Sequence, residues 1–233
     1  MATSITSTEF SDPSKFRFPN GEHRTVVMGQ TGTGKTVFAA WLLSKQDFTK
    51  RPWVALDFKD EELWDKVGDH AMPYLKPGQM PGKRGLYRMR LRSRDEDVLE
   101  DWLAKVWKKG NIGIFADELT LIPKRGAFQD ILRQGRSLRI PVIGCTQRPF
   151  DCDTEVFTES QFRVFFPPMD RREDLKRAQD YMGRANVSER LPAHSCYWYD
   201  SPKTGLFRLN PCPGPDSIAA ALRAKAPRTL WLG

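Results

Sequence analysis

The chain has 233 residues, 39% of them hydrophobic, which matches the length of one domain and suffices for a sizeable core. Lysine and arginine outnumber aspartate and glutamate by 37 to 29, and the net charge of +8 favours an anionic partner. No apolar run approaches the roughly 18 residues of a membrane span, no signal peptide precedes the polar opening MATSITSTEF, and the four cysteines show no CxxC or other metal-like spacing.

Residues 1–15 are rich in Ser and Thr and read as a flexible arm ahead of a single domain spanning 16–233. Thr25-Val26-Val27-Met28 is short, apolar and β-branched, the pattern of a buried strand. It runs into a glycine loop, Gly29 to Thr36, after which Val37, Phe38, Ala40, Trp41 and Leu42 follow at helical spacing to about Lys45. Trp53 to Leu56 reads as a second strand, ending at Asp57-Phe58-Lys59, and the Pro- and Gly-rich stretch through PYLKPGQMPGKRG as irregular connection. Leu86 to Leu91 alternates as a strand. Asp95 to Lys109 has a helical stripe of Val98, Leu99, Trp102, Leu103 and Val106. Ile112 to Ala116 is a third apolar strand, closing on Asp117-Glu118; a helix over Ala127 to Arg139 precedes a strand over Pro141 to Cys145. Phe162 to Phe166 is a further strand. Residues 169–233 form a C-terminal extension with a helix capped by Asp170 and Glu173 and stopped by Gly183, a hairpin over Tyr197 to Leu209, a short helix over Ser217 to Lys225, and the apolar tail Leu230-Trp231-Leu232. Strands alternating with helices predict an α/β sandwich around a mostly parallel sheet.

The glycine loop carries the most specific chemistry. Gly29-Gln30-Thr31-Gly32-Thr33-Gly34-Lys35-Thr36 fits GxxxxGK[ST], the phosphate-binding P-loop pattern. Its glycines take dihedrals closed to other residues, so consecutive N–H groups can turn inward on an anion, and the following helix adds its own free N–H groups. Such a loop places Lys35 on the β- and γ-phosphates of ATP and the Thr36 hydroxyl on Mg²⁺. Hydrolysis needs a second metal handle and a group that activates water, and NIGIFADE offers both: Asp117 for Mg²⁺ and Glu118 for the water. Gln147, at the end of the next strand, is placed to sense the γ-phosphate.

Taken in order, GQTGTGKT, ALDFKDE, GIFADE and IPVIGCTQRP resemble the FtsK–HerA superfamily of DNA-translocating ATPases, over about residues 22 to 168. The chain looks most like the genome-packaging ATPases of tailless, internal-membrane viruses and phages. ALDFKDE resembles that superfamily's strand ending in Asp-Pro-Lys, with Phe58 in place of proline. The resemblance implies a RecA-like P-loop fold of the additional-strand, catalytic-glutamate type. It also implies a homo-oligomeric ring, hexameric or pentameric, with ATP at subunit interfaces, duplex DNA in the pore and a neighbour's arginine completing each site; Arg136, in GRSLRI, is the candidate. A capsid vertex or portal would be the docking partner, and host cytoplasm or the virion packaging vertex the location. A P-loop small-molecule kinase and a cellular or conjugative DNA pump are the competing readings; the first does not need the tandem carboxylates followed by a glutamine strand.

Two basic stretches compete for the DNA. Arg88, Arg90, Arg92 and Arg94 share one face of an extended chain, and four unpaired cations exclude a buried central strand. Because edge strands carry charge for other reasons, Lys124 and Arg125, in the loop after Asp117-Glu118, are the preferred DNA contacts.

Overall fold

A computed structural model describes residues 17–183, 187, 189–203 and 205–226. The N-terminal arm over 1–15 and the tail Leu230-Trp231-Leu232 lie outside the described residues. In chain order the strands are β1 (Arg24–Gly29), β2 (Pro52–Asp57), β3 (Tyr74–Leu75), β4 (Gly85–Arg90), β5 (Gly113–Ala116), β6 (Val142–Thr146), β7 (Phe162–Phe166), β8 (Cys196–Asp200) and β9 (Gly205–Leu209). The helices are α1 (Lys35–Ser44), α2 (Glu62–Val67), α3 (Glu96–Lys109), α4 (Ala127–Gln134), α5 (Glu155–Thr158), α6 (Arg172–Tyr181) and α7 (Pro215–Lys225).

These strands form one sheet in the order β3-β4-β2-β5-β6-β1-β7-β8-β9. Pairing is parallel from β3 through β7, and the β8–β9 hairpin adds antiparallel to β7. Parallel sheets must be covered on both faces, and the strand residues divide accordingly. Val26, Met28, Val54, Leu56, Ile114 and Ala116 pack under α3, α4, α5 and α6. Val27, Trp53, Ala55 and Phe115 face the other way, under α1, α2 and α7. β1 is fully buried between β6 and β7, so whatever follows it starts from a rigid strand end.

The expected α/β sandwich is present, with four local differences. The stretch before β4 is not all irregular: α2 buries Leu63, Trp64 and Val67, with the Trp64 ring edge-on to Phe115 at 5.1 Å, and β3 pairs with β4. Short elements like these are held by tertiary packing and leave little periodicity. In α3, Val98 is 39% exposed, while Leu99, Trp102, Leu103 and Val106 form the buried stripe. The regular part of α4 ends at Gln134 rather than Arg139. Turns continue to Arg139, whose left-handed φ of 55° and the Ile140 N–H bond to the Gly135 carbonyl (2.8 Å) close the segment. Asp170 does not cap α6; Arg171 is the N-cap, without a side-chain bond. The acid engaged at that end is buried Asp174, which turns to the loop after β6 instead. Gly183, at φ 74°, stops the helix as expected.

The arginine row of β4 is paired rather than free. Arg88 is 1% exposed and donates through Nε to Asp57 (2.7 Å) and through Nη1 to Asp65 (2.6 Å) and Tyr74 (2.8 Å). Arg90 and Arg92 both pair with Asp60, at 2.9 and 2.6 Å. Three of the four cations are therefore neutralised within the fold, which is how β4 carries them inside the sheet.

Candidate nucleotide site

β1, β5 and β6 are mutually parallel, so their carboxyl ends meet at one edge of the sheet, the edge where open α/β sheets hold ligands. Three of the predicted segments converge there: the glycine loop after β1, Asp117-Glu118 after β5 and Gln147 after β6.

The loop folds back on itself before α1 begins. The Thr33 hydroxyl donates to the Gln30 carbonyl at 2.8 Å, and Gly32 and Gly34 hold φ of 80° and 94°, in the left-handed region. Gly29 is needed for space, because a Cβ there would lie 2.7 Å from Thr33 Oγ1 and 2.8 Å from Phe166 Cβ. Gly34 is the N-cap of α1, and its carbonyl takes the first helical bond from Phe38 N–H at 2.9 Å. The first-turn N–H groups of α1 are left facing the loop's concavity.

Lys35 is only 5% exposed. Burial lowers its pKa, with Cys145 and Glu118 acting in the opposite sense and Lys59 adding to the fall. A buried ammonium with no carboxylate partner of its own calls for an anion, and Thr36, half-buried in the first turn of α1, stands beside it in sequence. Asp117 is fully buried. Its carboxyl is pushed up to about 8, first by burial and further by Asp57 and Glu61, against the pull of the Phe58 N–H and Lys59. That N–H reaches both carboxyl oxygens, at 3.1 and 3.3 Å. Proline at position 58, expected from the resemblance, has no N–H and could not make this bond. A carboxyl strained by burial and retaining free lone pairs is a natural cation ligand, so the donor set fits a magnesium-bound triphosphate.

Glu118 is 5% exposed, and both its oxygens are engaged: Lys59 Nζ sits 2.7 Å from Oε2, and the Thr120 hydroxyl donates to Oε1 at 3.0 Å. Gln147 is already in contact with the loop, its Oε1 accepting from the Thr31 hydroxyl at 2.8 Å. Its own segment is anchored from α6, where Asp174 accepts Arg148 Nε at 3.1 Å and the Phe150 N–H at 2.8 Å. From the other side, His194 brings Nδ1 to 3.2 Å from the Thr33 carbonyl and closes on Gly34. Lys59, Asp174 and His194 were not singled out from the sequence; only Lys59 had a signal there, in ALDFKDE.

Lys124 and Arg125 are exposed in the loop after β5, at the same edge. Arg136 is not. Its segment lies at the opposite, amino edge, where the Arg139 carbonyl accepts from Arg51, the Leu138 carbonyl from the Asn111 N–H, and the charge of Arg136 acts on His23 and Arg24. It is a sheet's width, about 20 Å, from its own glycine loop.

No family model matches the sequence. The chain is 32% identical over 215 residues to the DNA packaging ATPase P9 of Enterobacteria phage PRD1, covering 88% of this chain and 93% of that one. Among solved structures, the genome packaging NTPase B204 of Sulfolobus turreted icosahedral virus 2, in complex with ATP-gammaS, superposes with a TM-score of 0.61 at 16% identity, over 83% of this chain and 99% of its own. EssC (ATPases 2 and 3) from Geobacillus thermodenitrificans gives a TM-score of 0.64 at 12% identity, over 88% of this chain and 44% of that one.

Proposed function

The chain belongs to the family of phage DNA packaging ATPases, and from that premise we propose that it hydrolyses ATP at the edge described above to drive double-stranded DNA into a preformed capsid. The observation that carries this reading is the meeting of the P-loop, Asp117-Glu118 and Gln147 at one edge, with Gln147 touching Thr31. Residues 16–233 act as one motor domain.

Residues 29–36 wrap the phosphates with backbone N–H groups, and Lys35 holds the β- and γ-phosphates. Mg²⁺, held by Thr36 and Asp117, supplies neutralisation of the charge on the transferring phosphoryl group. Glu118 takes a proton from water as its oxygen attacks the γ-phosphorus; the bond to the bridging oxygen breaks, and ADP and phosphate leave. Gln147 orients that water and reports, through Thr31, whether the γ-phosphate is present. The subunits form a homo-oligomeric ring, hexameric or pentameric, in which Arg136 of one subunit completes the next subunit's site. Lys124 and Arg125 project to the duplex, and a capsid vertex or portal protein receives the ring. The work is done in the host cytoplasm and at the packaging vertex.

Hydrolysis by the purified chain, with and without duplex DNA, tests this beside Glu118→Gln. Duplex should raise the wild-type rate, with a steep salt dependence and little sequence preference. Glu118→Gln should lose roughly 10²–10⁴-fold in kcat while still binding nucleotide. A wild-type rate indifferent to DNA, or phosphate passed to a small acceptor, would overturn the motor.

A further inference from the structure

We propose that Lys59 is a positioning residue that keeps Glu118 idle in the free subunit, and that the phosphodiester backbone of the duplex releases it. The inference deepens the motor reading above and rests on it.

A general base needs a free lone pair aimed at water. Here Oε2 of Glu118 is held by Lys59 Nζ at 2.7 Å and Oε1 by the Thr120 hydroxyl at 3.0 Å. In this arrangement neither oxygen is available as an acceptor, and a neighbouring cation also weakens the basicity of a carboxylate. The two partners are unequally placed. The Glu118 side chain is 6% exposed and fixed at the end of β5, whereas the Lys59 side chain is 30% exposed on a long stem from the turn after β2. Lys59 is therefore the member that can leave.

What would draw it away is set by its surroundings. Phe58, its neighbour in the chain, and Thr120, its fellow holder of Glu118, both line an open cleft of about 380 Å³. Lys124 and Arg92 line the same cleft, the latter already paired with Asp60. A phosphodiester entering beside Lys124 offers Lys59 an anion in exchange for Glu118, and the freed carboxylate turns to water. Hydrolysis is then withheld until the polyanion is engaged.

The rate of ATP hydrolysis by Lys59→Met, with and without duplex DNA, reads this directly. Without DNA the variant should run about tenfold or more faster than wild type, the factor carried by a hydrogen bond between charged groups. Its stimulation by DNA should collapse towards unity, while its affinity for duplex, measured by filter binding, changes little. Lys59→Arg keeps a cation on Glu118 and should retain both the low basal rate and the stimulation. Should Lys59→Met not fold, Lys59→Gln removes the same charge and reads the same two rates.

A basal rate equal to or below wild type overturns the restraint. A raised basal rate with undiminished stimulation overturns the duplex as the releasing anion and leaves the γ-phosphate of ATP in its place. Both failures leave the motor standing as long as wild type responds to DNA. If wild type itself does not respond, the motor reading fails, and the basal rate of Lys59→Met still decides whether Lys59 restrains Glu118.

Discussion

Arg88 shows what a single buried charge costs and secures in this fold. It is 1% exposed, and its Nε bond joins it to Asp57, which is fully buried at the end of β2. Removing one partner of such a pair strands the other's charge out of water. Arg88→Ala is therefore expected to destabilise the protein by about 3–5 kcal/mol, read from urea unfolding. Adding Asp57→Asn to it should restore much of the loss, and a single variant within about 1 kcal/mol of wild type would show that Asp57 is not ionised in the native state. The same residues mark how far the sequence could be read. The P-loop glycines, Lys35 and the Asp117-Glu118 pair were legible because local chemistry dictates them: a tight turn needs left-handed φ, and a strand that ends in carboxylates places them at the ligand edge. The partners of those groups were not legible. Lys59 meets Glu118 across 59 residues and Thr31 meets Gln147 across 116, and those distances close only when the strand order is known. Arg88 was read as one of four free cations because nothing local announces that Asp57 and Asp65 wait beside it.

At the scale of elements, the turn that launches β1 carries a titratable group in a restrictive setting. His23 Nδ1 accepts the Asn20 N–H at 3.0 Å, a bond only the unprotonated ring nitrogen can make, and its ring stacks edge-on against Phe162 of β7 at 5.1 Å. Burial lowers its pKa, the charges of Arg17 and Arg136 lower it further, and Glu22 and Asp200 oppose them. The folded state thus resists a proton that the unfolded chain takes up near the usual value of about 6.5. Below that pH the unfolded chain binds more protons, so unfolding free energy falls as pH falls. Between pH 7.5 and 5.5, His23→Gln should lose less stability than wild type when urea midpoints are compared; equal losses would mean His23 titrates normally. Elements of this size differ in legibility for a related reason. β1, β5, β7 and α3 announce themselves through runs or stripes of apolar residues, whereas α2 and β3 exist because Trp64 reaches Phe115 and β4 offers an edge. The end of α4 was misplaced for want of the Gly135–Ile140 closure, which no periodicity encodes.

For the whole molecule, the position of Arg136 turns a question of residue assignment into one of assembly. Lying at the amino edge, about 20 Å from its own P-loop, it cannot complete its own site, so any role in hydrolysis must be played on another copy. A ring of heterologous contacts brings one face of each subunit against a different face of the next, which is the geometry such a role requires. An arginine supplied across a boundary is worth about 10³–10⁵ in rate. Arg136→Ala and Lys35→Ala should each be nearly inactive alone. Mixed in equal amounts, they create boundaries where an intact P-loop faces an intact Arg136. With random assembly and independent sites, hydrolysis should recover to roughly a quarter of the wild-type rate, because each of the two requirements is met at about half the boundaries. Recovery should vanish when both substitutions sit in the same chain and are mixed with neither intact. If Arg136→Ala alone keeps full activity and the mixtures recover nothing beyond it, Arg136 is an outer basic residue. Arg133 and Arg139 of the same segment would then be tested in the same pairing, Arg133 with the reservation that it is already tied to Glu155 at 2.5 Å.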